Sequence, residues 1–64
     1  MKKFILVHHW EYNQTCYLIE CNSTVEGIEA NIHSVCEIVG IDFDENEGES
    51  ITIEEVTEIK TVIL

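Results

Sequence analysis

Sixty-four residues make one domain at most, and a chain this short buries only about 60% of its unfolded surface, which leaves a marginal monomer. Three Lys, no Arg and thirteen acids give a net charge of −10, a field that repels phosphate and so disfavours direct binding to nucleic acid or to anionic membranes. No run approaches the roughly 20 apolar residues of a membrane span, and residues 4–7 are too few for a secretory core. With an odd count of three Cys, the chain reads as a reduced, cytoplasmic protein without a disulfide framework.

Residues 3–22 read as a β-hairpin. Residues 3–12 and 15–21 are β-prone runs, and Asn13-Gln14 between them suits a tight turn because Asn tolerates positive φ. That turn predicts Trp10 opposite Tyr17, His8 opposite Ile19 and Leu6 opposite Cys21. Alternation then puts Phe4, Leu6, His8, Trp10, Tyr17, Ile19 and Cys21 on one face. The other face carries Ile5, Val7, His9, Glu11, Cys16, Leu18 and Glu20. It is more apolar than the wet face of an antiparallel sheet usually is.

Ser23-Thr24-Val25-Glu26 fits a capping box with Ser23 as N-cap, and Gly27 weakens the first turn by up to about 1 kcal/mol. Val25, Ile28, Ile32, Val35, Cys36 and Val39 then recur at spacings of three and four, one stripe of a helix. Gly40 stands where a left-handed residue ends such a helix, and Ile41 can pack back over its last turn. Residues 42–50 form a polar loop with five carboxylates, bent at Gly48. β-Branched residues favour a strand over 50–56. Residues 57–64 fit either a further strand or a terminal helix. The expected fold is α+β: a small antiparallel sheet in ββαβ order, one helix on its aromatic face, residues 1–64 forming one domain. The uncovered second face and the apolar end, Thr61-Val62-Ile63-Leu64, predict a homo-oligomer, a dimer or higher.

The residues that bear chemistry do not assemble into a catalytic or metal pattern. His8, His9, His33, Cys16, Cys21 and Cys36 are of zinc-binding type, yet no C-x₂-C spacing occurs, and His8 and His9 point to opposite faces. His33 and Cys36, three apart on a helix, are the one pair that could share a face. The alternate oxygens of residues 42–48 suggest calcium, but Gly48 is seventh and Ile53 twelfth where an EF-hand needs Gly sixth and Glu twelfth. A nucleophilic pair of Cys16 with His9 lacks an oxyanion hole and an orienting partner. No enzyme activity, cofactor or metal is expected.

What remains is binding. The acidic residues Glu26, Glu29, Glu37, Asp42, Asp44, Glu45, Glu47 and Glu49, continued by Glu54, Glu55 and Glu58, form a candidate recognition surface for a basic partner. Such a partner includes the nucleic-acid groove of another protein. Residues 1–22 sum to zero charge, so residues 23–64 supply the whole −10. In size, charge and lack of motifs the chain resembles the small acidic inhibitors of anti-defence type that phages and mobile elements encode. This resemblance implies a non-catalytic inhibitor or regulator of a basic protein. The alternative is an oligomer that sequesters a small ligand or nucleotide through His8, His9, Trp10 and Tyr12. The absence of Arg argues against an anionic ligand there.

Overall fold

The computed structural model describes residues 1–64 as a three-stranded antiparallel sheet with two short helices on one face. Strand β1 (Lys2–Trp10) is central, flanked by β2 (Asn13–Cys21) and β3 (Ser50–Val56) in the order β2-β1-β3. Because both flanking strands run antiparallel to β1, they are parallel to each other. A crossover must therefore carry the chain from one to the other over a sheet face. The segment that makes it is α1 (Val25–Ala30), α2 (Ile32–Val39) and an acidic loop with one 3₁₀ turn, Glu45–Glu47.

The hairpin turns earlier than the Asn13-Gln14 expectation. Glu11 and Tyr12 make the turn, and Asn13 and Gln14 belong to β2. Lys2 faces Cys21, Phe4 faces Ile19, Leu6 faces Tyr17 and His8 faces Thr15. Burial outweighs local turn preference here, since this register sets Phe4 and Leu6 against the large apolar residues of β2. Both are fully buried, worth about 1.5–3 kcal/mol each. It also sets Lys3 opposite Glu20. The cost falls on Glu11, a non-glycine residue at φ 52°. Each pairing moves by an even number of residues, so the division into faces survives: Phe4, Leu6 and His8 are buried, and their neighbours Ile5, Val7 and His9 are half-exposed.

Strand β3 spans the expected residues and sets Ile53 opposite Leu6 and Ile51 opposite His8. The helix stripe packs over this face. Leu6, Cys36 and Ile41 form the core, surrounded by Tyr17, Ile19, Ile32, Val35, Val39, Phe43, Ile51 and Ile53.

Two details of the helical segment differ from expectation. Thr24, one residue after Ser23, is the N-cap, its Oγ1 accepting from the Gly27 N–H at 3.0 Å. A Cβ on Gly27 would stand 2.7 Å from Ser23 Oγ and 3.2 Å from Thr24 Oγ1, so the glycine makes room for the cap. The helix is also broken at Asn31 (φ −119°, ψ 29°), whose Nδ2 donates back to the Gly27 carbonyl at 3.0 Å. Side-chain amides compete with the backbone in this way. The C-terminus matches expectation: Gly40 is left-handed at φ 90°, and the N–H groups of Gly40 and Ile41 both donate to the Cys36 carbonyl. Residues 57–64 form neither the strand nor the helix considered for them, and Val62, Ile63 and Leu64 are exposed.

Candidate functional site

The principal concave feature is an open cleft of about 370 Å³ at the turn end of the sheet. His8, Trp10, Thr15 and Tyr17 supply its floor from β1 and β2. Gly40, Ile41, Asp42 and Glu49 supply its wall from the end of α2 and the acidic loop. The local sequence accounts for this placement. Alternation brings His8 and Trp10 to the covered face, and the observed register sets Thr15 and Tyr17 beside them. Gly40 then turns the chain out of the helix above them.

His8 is the one buried polar side chain, 7% exposed, and its Nε2–H donates to Glu49 Oε1 at 2.5 Å. Glu49 Oε1 also accepts from the Asp44 N–H at 3.4 Å, and Asp44 Oδ1 accepts from the Asn46 N–H at 2.9 Å. With Gly48 left-handed at φ 75°, these bonds give the acidic loop a defined path. Phe43 holds its near side, edge-on to His8 at 6.0 Å and stacked on His33 at 5.8 Å. His33 in turn lies 3.5 Å from Glu45. Across the cleft, the Trp10 indole donates to Thr15 Oγ1 at 3.4 Å and the ring is 38% exposed.

The predicted binding residues separate into groups. Of the acids, Asp42 and Glu49 line the cleft, and Asp44, Glu45 and Glu47 lie in the same loop. Glu26, Glu29 and Glu37 are exposed on the helices, with Glu29 and Glu45 lining a second hollow beside Phe43. Glu49 is thus the loop carboxylate tethered to the sheet, through His8. Of the alternative set, His8 and Trp10 share the cleft. His9 lies on the opposite sheet face, 3.4 Å from Thr52 Oγ1, and Tyr12 projects fully exposed from the turn. Tyr17 and Thr15 were absent from that set, although the parity that selected Trp10 also selects Tyr17. Gly40 and Ile41 carried no chemical signal and enter the wall through the helix end alone.

The two cations of β1 stand together, with Glu20, Glu54 and Glu55 beside the same end of the sheet. Lys2 and Lys3 stand at one end, with Lys3 opposite Glu20 and Lys2 Nζ donating to the Ser23 carbonyl. Trp10 and the cleft stand at the other, roughly 23 Å away at 3.3 Å per residue. That end carries Glu11 in the turn, and Asp42 and Glu49 line the cleft. It also receives the C-terminus of α2, whose last turn has no basic residue to offset its dipole.

Of the cysteines, Cys36 is in the core, where burial raises its thiol pKa and keeps it protonated; Cys16 is exposed. Cys36 is buried while His33 is exposed, so the two do not combine. No group of three or more His, Cys, Asp or Glu is placed to hold a metal ion, and no helix is long and apolar enough to cross a membrane. Compared with protein-family models, curated proteins and solved structures, the chain matches none.

Proposed function

We propose that this chain is a non-catalytic acidic binding protein that docks its turn end against a basic protein surface and thereby inhibits or regulates the partner. The supporting observation is the placement of the acidic loop: Asp42 and Glu49 line an aromatic cleft at the turn end, and Asp44, Glu45 and Glu47 belong to the same loop, while Lys2 and Lys3 lie at the far end of β1. A partner's Lys or Arg side chain entering the cleft would meet the Trp10 and Tyr17 rings and the Asp42 carboxylate. A cation over such rings gains about 0.5–2 kcal/mol as it is desolvated. Aromatic residues ringed by charge are the usual composition of an interface hot spot.

The test is a pull-down from lysate with quantified recovery of each retained partner. Partners should be held at about 0.05 M salt and lost by about 0.5 M, where exposed charges are screened. Combined Asp42→Lys, Glu45→Lys and Glu47→Lys should abolish retention, and Trp10→Ala should weaken it. Retention that ignores both salt and charge reversal overturns the reading.

A small neutral or aromatic ligand stacked between Trp10 and Tyr17 is the second reading, favoured by the cleft volume near the low end of ligand sites. Such a ligand would raise the melting temperature by mass action at any salt concentration.

A further inference from the structure

We infer that the cleft at the turn end is a receptor for one guanidinium group, so that the docking partner is read through an arginine and not a lysine. The inference rests on the proposed docking for the source of that arginine, and deepens it by naming the group the cleft accepts.

The polar groups that the chain leaves unpaired around the cleft are mainly acceptors. His8 is buried in the floor and gives its Nε2–H to Glu49, so Nδ1 keeps a lone pair with no partner in the chain. The Glu49 side chain is 17% exposed and takes both of its bonds on Oε1, from His8 and from the Asp44 N–H, while Oε2 takes none. No sealed side-chain nitrogen or oxygen lacks a hydrogen bond, so Nδ1 and Oε2 are both open to solvent. Their residues line the cleft, which is the opening they share. In the wall, the Gly40 and Ile41 N–H groups both donate to Cys36, and the carbonyls of Glu37, Ile38 and Val39 receive no donor from the chain. They form the negative end of the α2 dipole. Asp42 adds an exposed carboxylate beside them. The hydroxyls of Thr15 and Tyr17 can turn to serve as acceptors too.

No cation of the chain answers this set. Lys2 and Lys3 lie at the far end of β1, and Lys60 stands 3.8 Å from Glu58, beyond β3. The chain has no Arg, so a second copy cannot bring a guanidinium to the cleft. The acceptors are spread over β1, the end of α2 and the loop, around a floor that includes the Trp10 and Tyr17 rings. A guanidinium is a planar fork of donors, weakly hydrated and able to lie on an aromatic face. An ammonium gathers its donors at one point and holds its water more firmly, so it would leave part of the set unmatched.

Trp10 is the one tryptophan and lies in the cleft, so its fluorescence reports occupancy. The probes are N-acetyl-arginine methylamide and N-acetyl-lysine methylamide, equal in charge. Each is titrated to about 20 mM at about 0.05 M salt, a range suited to the weak affinity of a single side chain. The arginine probe should saturate and bind at least about fivefold more tightly than the lysine probe. Asp42→Asn, and Glu49→Gln, which keeps an oxygen for His8, should each weaken it about three- to tenfold with unchanged circular dichroism. Glu20→Gln removes the same charge from the Lys3 end and should leave the affinity within about twofold. Equal affinity for the two probes, a change that never saturates, or a loss in Glu20→Gln as large as in Asp42→Asn overturns the inference. The two readings fail separately. Partners retained in the pull-down, with probes that bind alike, refute the arginine assignment alone. An arginine probe that binds as expected, with no partner retained, upholds the receptor and refutes the docking.

Discussion

His8 shows how one buried polar side chain ties two distant parts of the chain together. It belongs to the centre of the sheet, yet its only hydrogen-bond partner, Glu49, lies 41 residues later. A buried imidazole N–H without an acceptor costs about 1–3 kcal/mol. Glu49→Ala should therefore lower the urea-unfolding free energy by about that amount. Glu47→Ala, in the same loop but exposed, should change it by less than about 0.5 kcal/mol. Equal effects from the two substitutions would mean that the His8 contact contributes nothing. The same bond fixes the path of the acidic loop, so Glu49→Ala should also weaken any partner that reads Asp42 and Glu45.

At the scale of elements, the hairpin carries its strain at Glu11, whose φ of 52° is a conformation glycine adopts without penalty. Glu11→Gly should stabilise the fold by about 0.5–1 kcal/mol, raising a thermal midpoint by about 2–8 °C in a domain this small. An unchanged or lowered midpoint would place the strain elsewhere. Period-two alternation in β1 and β2 and the apolar stripe of the helices were both readable in the residues, because burial enforces each along its whole element. The turn was not, since Asn13 and Glu11 differ locally by less than the burial of Phe4 and Leu6 decides. The break at Asn31 escaped for a related reason: a single side-chain bond to Gly27 leaves the apolar spacing on both sides intact. The pairing of His8 with Glu49 had no signature at all, because it depends on how far the loop reaches over the sheet.

For the molecule as a whole, the −10 charge acts on stability and on binding in opposite senses. Self-repulsion among carboxylates at the turn end opposes the compact state and is screened within about 8–10 Å at moderate salt. Raising sodium chloride from about 0.02 M to about 0.5 M should increase the melting temperature while it releases a basic partner. A melting temperature that falls with salt would show that attractive ion pairs dominate. The fold offers few of them. His33–Glu45 and Lys60–Glu58 are both exposed, and such contacts are worth little.

The strand order carries a consequence for how the molecule comes into being. β1 is made before both of its neighbours and can pair with β2 at once, but its other edge waits for β3, some forty residues behind it in the chain. Throughout that interval a nascent copy displays a row of unpaired amides and carbonyls beside Phe4 and Leu6, open to any strand that passes. Strand β3 thus acts as the cover of that edge, and any exposed strand that reaches it sooner competes with β3.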